Sequence, residues 1–423
     1  MKLRARQLDV PADALRIARA LAGEPGFVFL WAASGEGPSY VACSPIDFTT
    51  GLDPEPSLAL MPQESALAGC PRWIGALPYE ARRDLERPGR TTRPDDRAEP
   101  HVTTPLWARY GAVVRIDRDV MVVGDDERRL RELAVLATAP PSRRGPVRAQ
   151  GLSTEPDRAH AARIAGALEL IFAGEIYQVN LARRFELSLD GRAVDIVERL
   201  ARAARTPFAT AFELGELTIA GASPELFLEL DAAGALVTRP IKGTRPRGTD
   251  AVKDRAQVRD LAEDPKEHAE LSMVVDVERN DLGRIARTGS VRVLGEPRIE
   301  TFGTVHHRVA TVTARLRDGV DRSEVLRAML PSGSITGAPK IRAMEIIAEL
   351  ESERRGLYTG ALGAIGHDGS LRLSMAIRTL TRKNGVAHYF AGGGIVAASD
   401  PAREVLETRW KAAQLERLLD AEG

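Results

Sequence analysis

Short apolar runs in this chain come in pairs separated by turn residues, and this pairing restricts the fold more than any other feature of the sequence. ELTIAGA (216–222) and LFLEL (226–230) flank Ser223-Pro224-Glu225, and GFVFLWAA (26–33), YGAVVRI (110–116), SVRVLG (290–295) and LRLSMAI (371–377) have the same strand-like character. Helical periodicity appears between them, as in 13–23 and RIAGALELIFAGEI (163–176). The order is not a regular strand-helix-strand alternation. An α+β architecture rich in antiparallel pairing is therefore expected rather than a doubly wound parallel sheet. At 423 residues the chain is long enough to bury a large core.

Two stretches break the periodicity, RPGRTTRPDDRAEP (87–100) and APPSRRGP (139–146). The second divides the chain into an amino-terminal region, 1–146, and a carboxyl-terminal region, 147–423, which holds nearly all the unusual residues. Lys plus Arg and Asp plus Glu are both 59, so the chain lacks the global basic field of a nucleic-acid binder, and an anionic ligand must be held by local charges. No run of 18 apolar residues occurs, and the first residues lack the apolar stretch of a signal peptide, so a soluble cytoplasmic protein without a membrane segment is expected. Cys43 and Cys70 are the only cysteines and read as small apolar core residues.

Asp264-Pro265 reads as an N-cap and first helical residue, with Glu267 completing a capping box and Glu270 on the same face. The grammar recurs at Asp400-Pro401, followed by Glu404, Glu407 and Lys411. Two diglutamate helix faces either point to solvent or converge on a hard cation such as Mg²⁺, which takes one or two protein carboxylates plus waters and substrate oxygens. In RPIKGTRPRG (239–248), Lys242 stands among Arg239, Arg245 and Arg247; it is either part of a basic surface loop or an amine freed for attack by neighbouring positive charge. Glu225, in its turn, suits either a general acid or an exposed position. PSGSITGAPK (331–340) fails the phosphate-loop pattern at Pro339, yet offers backbone N–H groups and hydroxyls to a carboxylate. AGGGIV (391–396) reads as bare backbone open to a ligand or, more simply, as a tight turn.

From IFAGEIYQVNLARRF (171–185) to the carboxyl terminus, the chain resembles the chorismate-utilising family, which includes anthranilate, isochorismate, salicylate and aminodeoxychorismate synthases. The likeness rests on ASPELFLEL, RPIKGTRPRG, DPKEHAELSMVVDVERNDLGR, FGTVHHRVATV, LPSGSITGAPKIRAMEIIAELE, RGLYTGALGAI, MAIRT and GGGIVAASDPAREVLETRWKA, with weaker similarity in 39–48 and 72–86. It implies a two-subdomain sandwich of antiparallel sheets flanked by helices. It also implies Mg²⁺ on Glu270 and Glu407, with Glu267 and Glu404 acting mainly through water, and substrate contacts from Gly243, Thr244, Ser334, Tyr358, Arg378, Gly392, Gly393, Gly394 and Lys411. Glu225 matches the general acid and His307 an active-site histidine. Members that add water carry a lysine where this chain has Gln178, and members that form anthranilate usually carry alanine where it has Lys242. The pair implies the branch that puts ammonia on C4 of chorismate through a covalent bond to Lys242, the ammonia coming from a separate glutamine amidotransferase. Anthranilate formation and a silent chorismate-binding regulatory subunit are the alternatives. Ser332 stands where glycine is common, Arg308 where leucine is and Ala310 where serine is.

Overall fold

The computed structural model describes residues 3–61, 67–82 and 97–419; the Pro- and Arg-rich stretch at 87–100 lies outside them up to residue 96. The fold is an α+β sandwich, and every strand pairing among the described residues is antiparallel. Its larger sheet of 12 strands runs from Arg4–Leu8 at one edge, through Val28–Trp31, Phe208–Leu214, Leu217–Ser223, Thr379–Lys383 and Val386–Val396, to Gln178–Asp190 and Gly337–Ala338. The second, of 9 strands, has Ala235–Arg239, Leu226–Leu230, Leu371–Met375, Ala361–Gly366, Pro71–Leu77 and Leu106–Arg109 at its centre. Both sheets draw strands from either side of residue 146. A small third sheet joins Ile241–Pro246, Val305–Val309 and Arg298–Thr301.

The two large sheets meet through apolar side chains: Val28, Phe212 and Ile219 of the first share a buried cluster with Ile74, Ala108 and Leu362 of the second. Helices Ala14–Leu21, Glu127–Thr138 and Ala193–Ala204 cover the outer side of the larger sheet. Helices Asp157–Phe172 and Lys340–Leu350 pack on Gln178–Asp190 of the larger sheet, and together with Pro265–Gly283 and Arg322–Met329 they share a buried apolar cluster with strands of the second. Strands with both faces covered read as continuous apolar runs, as in Leu217–Ser223, where six of seven residues are buried. Between the sheets lies a cavity of about 470 Å³ bounded by Trp31, Tyr40, Phe208, Leu230 and Arg372, and none of the site residues expected from the sequence lines it. Cys43 and Cys70 are buried free thiols. Among the described residues, no helix is long and apolar enough to cross a membrane.

Two connections matter for function, because each carries the chain from one large sheet to the other. Ser223-Pro224-Glu225 links Leu217–Ser223 to Leu226–Leu230, and Ala376-Ile377-Arg378 links Leu371–Met375 to Thr379–Lys383. Arg378 has φ +51°, a left-handed conformation uncommon outside glycine. Close sheet contact also demands small residues. Gly75 is flanked by Gly363 and Trp107, and a Cβ there would lie 2.4 Å from both the Leu106 carbonyl and the Trp107 ring. Gly75→Val should lower unfolding free energy by about 1–3 kcal/mol through overpacking. A urea midpoint equal to that of the parent protein would contradict this packing.

Candidate active site

Lys242 lies on Ile241–Pro246, paired with Val305–Val309 so that Lys242 faces Arg308 and Thr244 faces His307. Between these pairs the ladder slips by one residue, and Gly243, with φ +81°, takes the extra place. Glycine supplies that conformation without strain, and the bulge changes the direction in which the flanking side chains leave the strand. Among the described residues the Lys242 amine has no hydrogen-bond or ion-pair partner. Burial pulls its pKa down; Glu270, Glu225 and Glu407 oppose the shift, Lys411 reinforces it, and the net direction is downward.

The source of that depression differs from the one expected. Arg239 is paired with Glu300, Arg245 reaches Asp264 at 2.7 Å and Glu267 at 3.3 Å, and Arg247 holds Asp254 at 2.8 Å. The arginines are thus neutralised by their own partners, and the lysine responds to burial and Lys411. A second expectation also changes. Asp264 caps the 265–283 helix, accepting from the Lys266 and Glu267 amides, and Pro265 opens it, but the capping box is incomplete. The Asp264 N–H is already committed to the Asp260 carbonyl of the preceding helix, and Glu267 turns to Arg245.

The carboxylates of the two helices lie near enough to act on one another electrostatically, although among the described residues no three of them are grouped closely enough to hold a metal ion. Glu270 feels the charges of Lys242, Lys266, Glu267 and Glu407, and Glu404 those of Glu407, Lys266 and Lys411. Burial raises the pKa of both Glu270 and Glu404. Burial also acts upward on Glu407, but Lys411 at 2.6 Å outweighs it and the net shift is downward. Lys411 additionally donates to the Gly392 carbonyl at 2.8 Å. The three glycines belong to strand Val386–Val396, not to a tight turn: Gly392, Gly393 and Gly394 pair with Ala182, Leu181 and Asn180. A Cβ on Gly393 would lie 3.0 Å from Glu404 Oε2, and one on Gly394 would lie 2.5 Å from Gln178 Nε2 and 3.5 Å from Lys242 Nζ. Bare backbone is therefore what lets the lysine, the Gln178 amide and the glutamates approach one strand. Both polar atoms of the Gln178 side chain are buried without a partner among the described residues.

Glu225 is buried rather than exposed, and its Oε1 accepts the Ser334 hydroxyl at 2.8 Å. Burial lifts its pKa to about 7, against the hydrogen bond from Ser334 and the charge of Lys242. Ser334 is in the short 3₁₀ turn Gly333–Ile335, ahead of the helix beginning at Lys340. His307 meets the Thr244 hydroxyl through Nδ1 at 2.9 Å, while its Nε2 is buried without a partner among the described residues. Burial and the positive charge of Arg378 push its pKa down to about 3. Tyr358 is buried and stacked on Phe390, with ring centroids 5.3 Å apart. Arg378 acts electrostatically on His307, Tyr389 and Lys411. His306 is instead engaged by Thr301 and Asp254, and His268 by the Ala262 carbonyl and Arg308, so each has a local structural partner.

Among the buried acids that local sequence does not single out, Glu278 acts electrostatically on Glu225. Glu278 is completely buried on the inner side of the 265–283 helix, in line with Leu271, Val274 and Leu282. A charge at an apolar-stripe position is the signal that identifies it.

Residues 49–417 match the family described as chorismate binding enzyme. The aminodeoxychorismate synthase component 1 of Salmonella typhimurium is 47% identical over 238 residues, which is 56% of this chain and 52% of that protein. The anthranilate synthase component 1 of Streptomyces coelicolor is 46% identical over 252 residues, 59% of this chain and 49% of that protein. The chain spans about half the length of these curated relatives. The crystal structure of anthranilate synthase component I from Streptococcus pneumoniae TIGR4 superposes with a TM-score of 0.74 at 28% identity, covering 98% of this chain and 92% of that one.

The depressed pKa of His307 has a measurable consequence. An unfolded histidine takes up a proton near pH 6.5, whereas His307 in the folded chain does so only near about 3. Protonation between those values favours the unfolded chain, so this residue's contribution to stability is lost as pH falls through that window. In an NMR titration the His307 ring signals should stay flat from about pH 8 to about pH 5; a midpoint near 6.5 would contradict the assignment.

Proposed function

The chain belongs to the chorismate-binding enzymes, and from that premise we propose that it is the chorismate-converting component of an aminodeoxychorismate synthase. The observation that carries this reading is the unpartnered Lys242 amine, depressed in pKa, beside Gln178 and bare strand backbone. In the proposed reaction that amine attacks C2 of chorismate while Glu225 protonates the departing C4 hydroxyl; ammonia then bonds to C4 and expels the lysine. A covalent intermediate replaces one difficult substitution by two easier ones. An acid with a pKa near 7 suits protonation of a leaving hydroxyl at neutral pH. His307, held neutral, offers Nε2 to the substrate region.

Chorismate carries two carboxylates, and we assign Arg378 and Lys411 to them, with Thr244, Ser334, Tyr358 and the backbone of Gly243 and Gly392–Gly394 shaping the rest of the site. We assign Mg²⁺ to the paired glutamates because burial raises the pKa of Glu270 and Glu404, so a cation drawing them together would relieve the cost of ionising them. Glu270 and Glu407 would hold the ion directly and Glu267 and Glu404 through water; bound there, it would neutralise a substrate carboxylate. All these residues fall in 147–423, which we assign the chemistry, with 1–146 supporting it through shared sheets. The ammonia source is a separate glutamine amidotransferase chain, as the words "component 1" in the relatives' names suggest. Two buried free thiols suit the reducing cytoplasm.

The product decides between this reading and its relatives' other activity. With chorismate, Mg²⁺ and ammonium, p-aminobenzoate should form only when aminodeoxychorismate lyase is added; fluorescent anthranilate without lyase would establish the other activity instead, and no turnover would leave a silent binding subunit. Glu270→Gln should lower turnover by about 100-fold or more. Full activity of that variant in excess chelator would remove the metal assignment.

A further inference from the structure

Ser332, the residue standing where the family commonly has glycine, completes a buried hydrogen-bonded path between two acids. Glu225 Oε1 and the Ser334 hydroxyl are 2.8 Å apart, the Ser334 and Ser332 hydroxyls 2.9 Å, and the Ser332 hydroxyl and Glu278 Oε1 2.5 Å. Gly333 N–H also donates to Glu278 Oε1, at 3.1 Å. All four side chains are at most 5% exposed, and Glu278 Oε2 is buried without a partner among the described residues. Resting on the general-acid reading of Glu225, we propose that Glu278 is a second seat for the acidic proton that Glu225 delivers to the leaving hydroxyl, exchanged with it through Ser332 and Ser334.

Proton counting supports this. The path has three oxygen-to-oxygen links and each needs one proton, but two hydroxyls supply only two. The third must come from a carboxyl group, so the path is complete when one of the two acids is protonated and the other ionised. With the proton on Glu278, the hydroxyls point toward Glu225. Passing it along moves the Glu278 proton to Ser332, the Ser332 proton to Ser334 and the Ser334 proton to Glu225, reversing both hydroxyls. Glu225 then gives a proton to the C4 oxygen as the C–O bond breaks, its electron pair leaving with the oxygen as water. Ammonia, on becoming the C4 amine, sheds one proton and restores the pair. Burial disfavours the ionised form of both acids, so either one can carry the shared proton. The charges acting on the pair are Asp281 and Lys340 beside Glu278, and Lys242 and Glu278 beside Glu225.

Glu278 has no role in holding substrate, so it is a positioning residue whose loss should appear in turnover and pH dependence. The test uses the whole chain with chorismate, Mg²⁺ and ammonium, following aminodeoxychorismate across pH in Glu278→Gln, Ser332→Ala, Ser332→Thr and Glu225→Gln. Glu278→Gln keeps the shape but removes the second seat and a negative charge that raises the Glu225 pKa. Its kcat should fall at least about tenfold, the alkaline limb should move to lower pH, and KM should stay unchanged. Ser332→Ala should lower kcat comparably, and Ser332→Thr should restore it. Wild-type kcat and wild-type pH limbs in both Glu278→Gln and Ser332→Ala would overturn the proposal while leaving the general acid intact. Undiminished kcat in Glu225→Gln would overturn the general-acid reading itself, and the shared proton with it.

Discussion

An unpaired amine held among buried carboxylates is the constraint on which the rest of this structure depends. Lys242 is drawn toward its neutral form by burial, yet Glu270, Glu407 and Glu225 all favour the ammonium. The balance is kept because each neighbouring charge has another partner. Lys411 takes Glu407, Lys266 takes Glu270, and Ser334 takes Glu225. A direct ion pair from any of these acids to Lys242 would hold it protonated and leave it no free lone pair. The sandwich serves this arrangement by carrying the chain between sheets at Glu225 and at Arg378, so both project from connections fixed at their two ends. The small third sheet presents Lys242 and His307 from adjacent strands, and the Gly243 bulge lets Lys242 and Thr244 act on different neighbours.

Local grammar was the most legible part of the sequence. LFLEL at 226–230 is a strand over those same residues, and Asp-Pro starts both diglutamate helices. Such signals need only neighbouring residues, because capping and periodicity are short-range. Antiparallel pairing followed from strands arriving together, although which strands became neighbours did not. Leu217–Ser223 pairs with Thr379–Lys383, and no local pattern announces a partner that far along the chain.

The misread features depend on distant partners. Arg239 near Lys242 looked like a source of repulsion, but Glu300 neutralises it from the third sheet. Gly392–Gly394 looked like a turn because glycine runs often are, yet the long ladder to Gln178–Asp190 holds them in extended conformation. The capping box failed because two helices abut at Asp264, and one N–H cannot serve both. Glu278 carries no short-range signal, because an isolated glutamate in a helix normally faces water, and only its place in the apolar stripe indicates otherwise.

The central claim is that Lys242 acts as a nucleophile and not merely as a positive charge that attracts a dianion. Its most direct test is the turnover of Lys242→Ala with saturating chorismate, Mg²⁺ and ammonium, because saturation separates chemistry from binding. The account expects kcat for aminodeoxychorismate to fall by about 100-fold or more. Wild-type kcat with only a raised KM would contradict it, and the lysine would then be a binding charge in a basic strand.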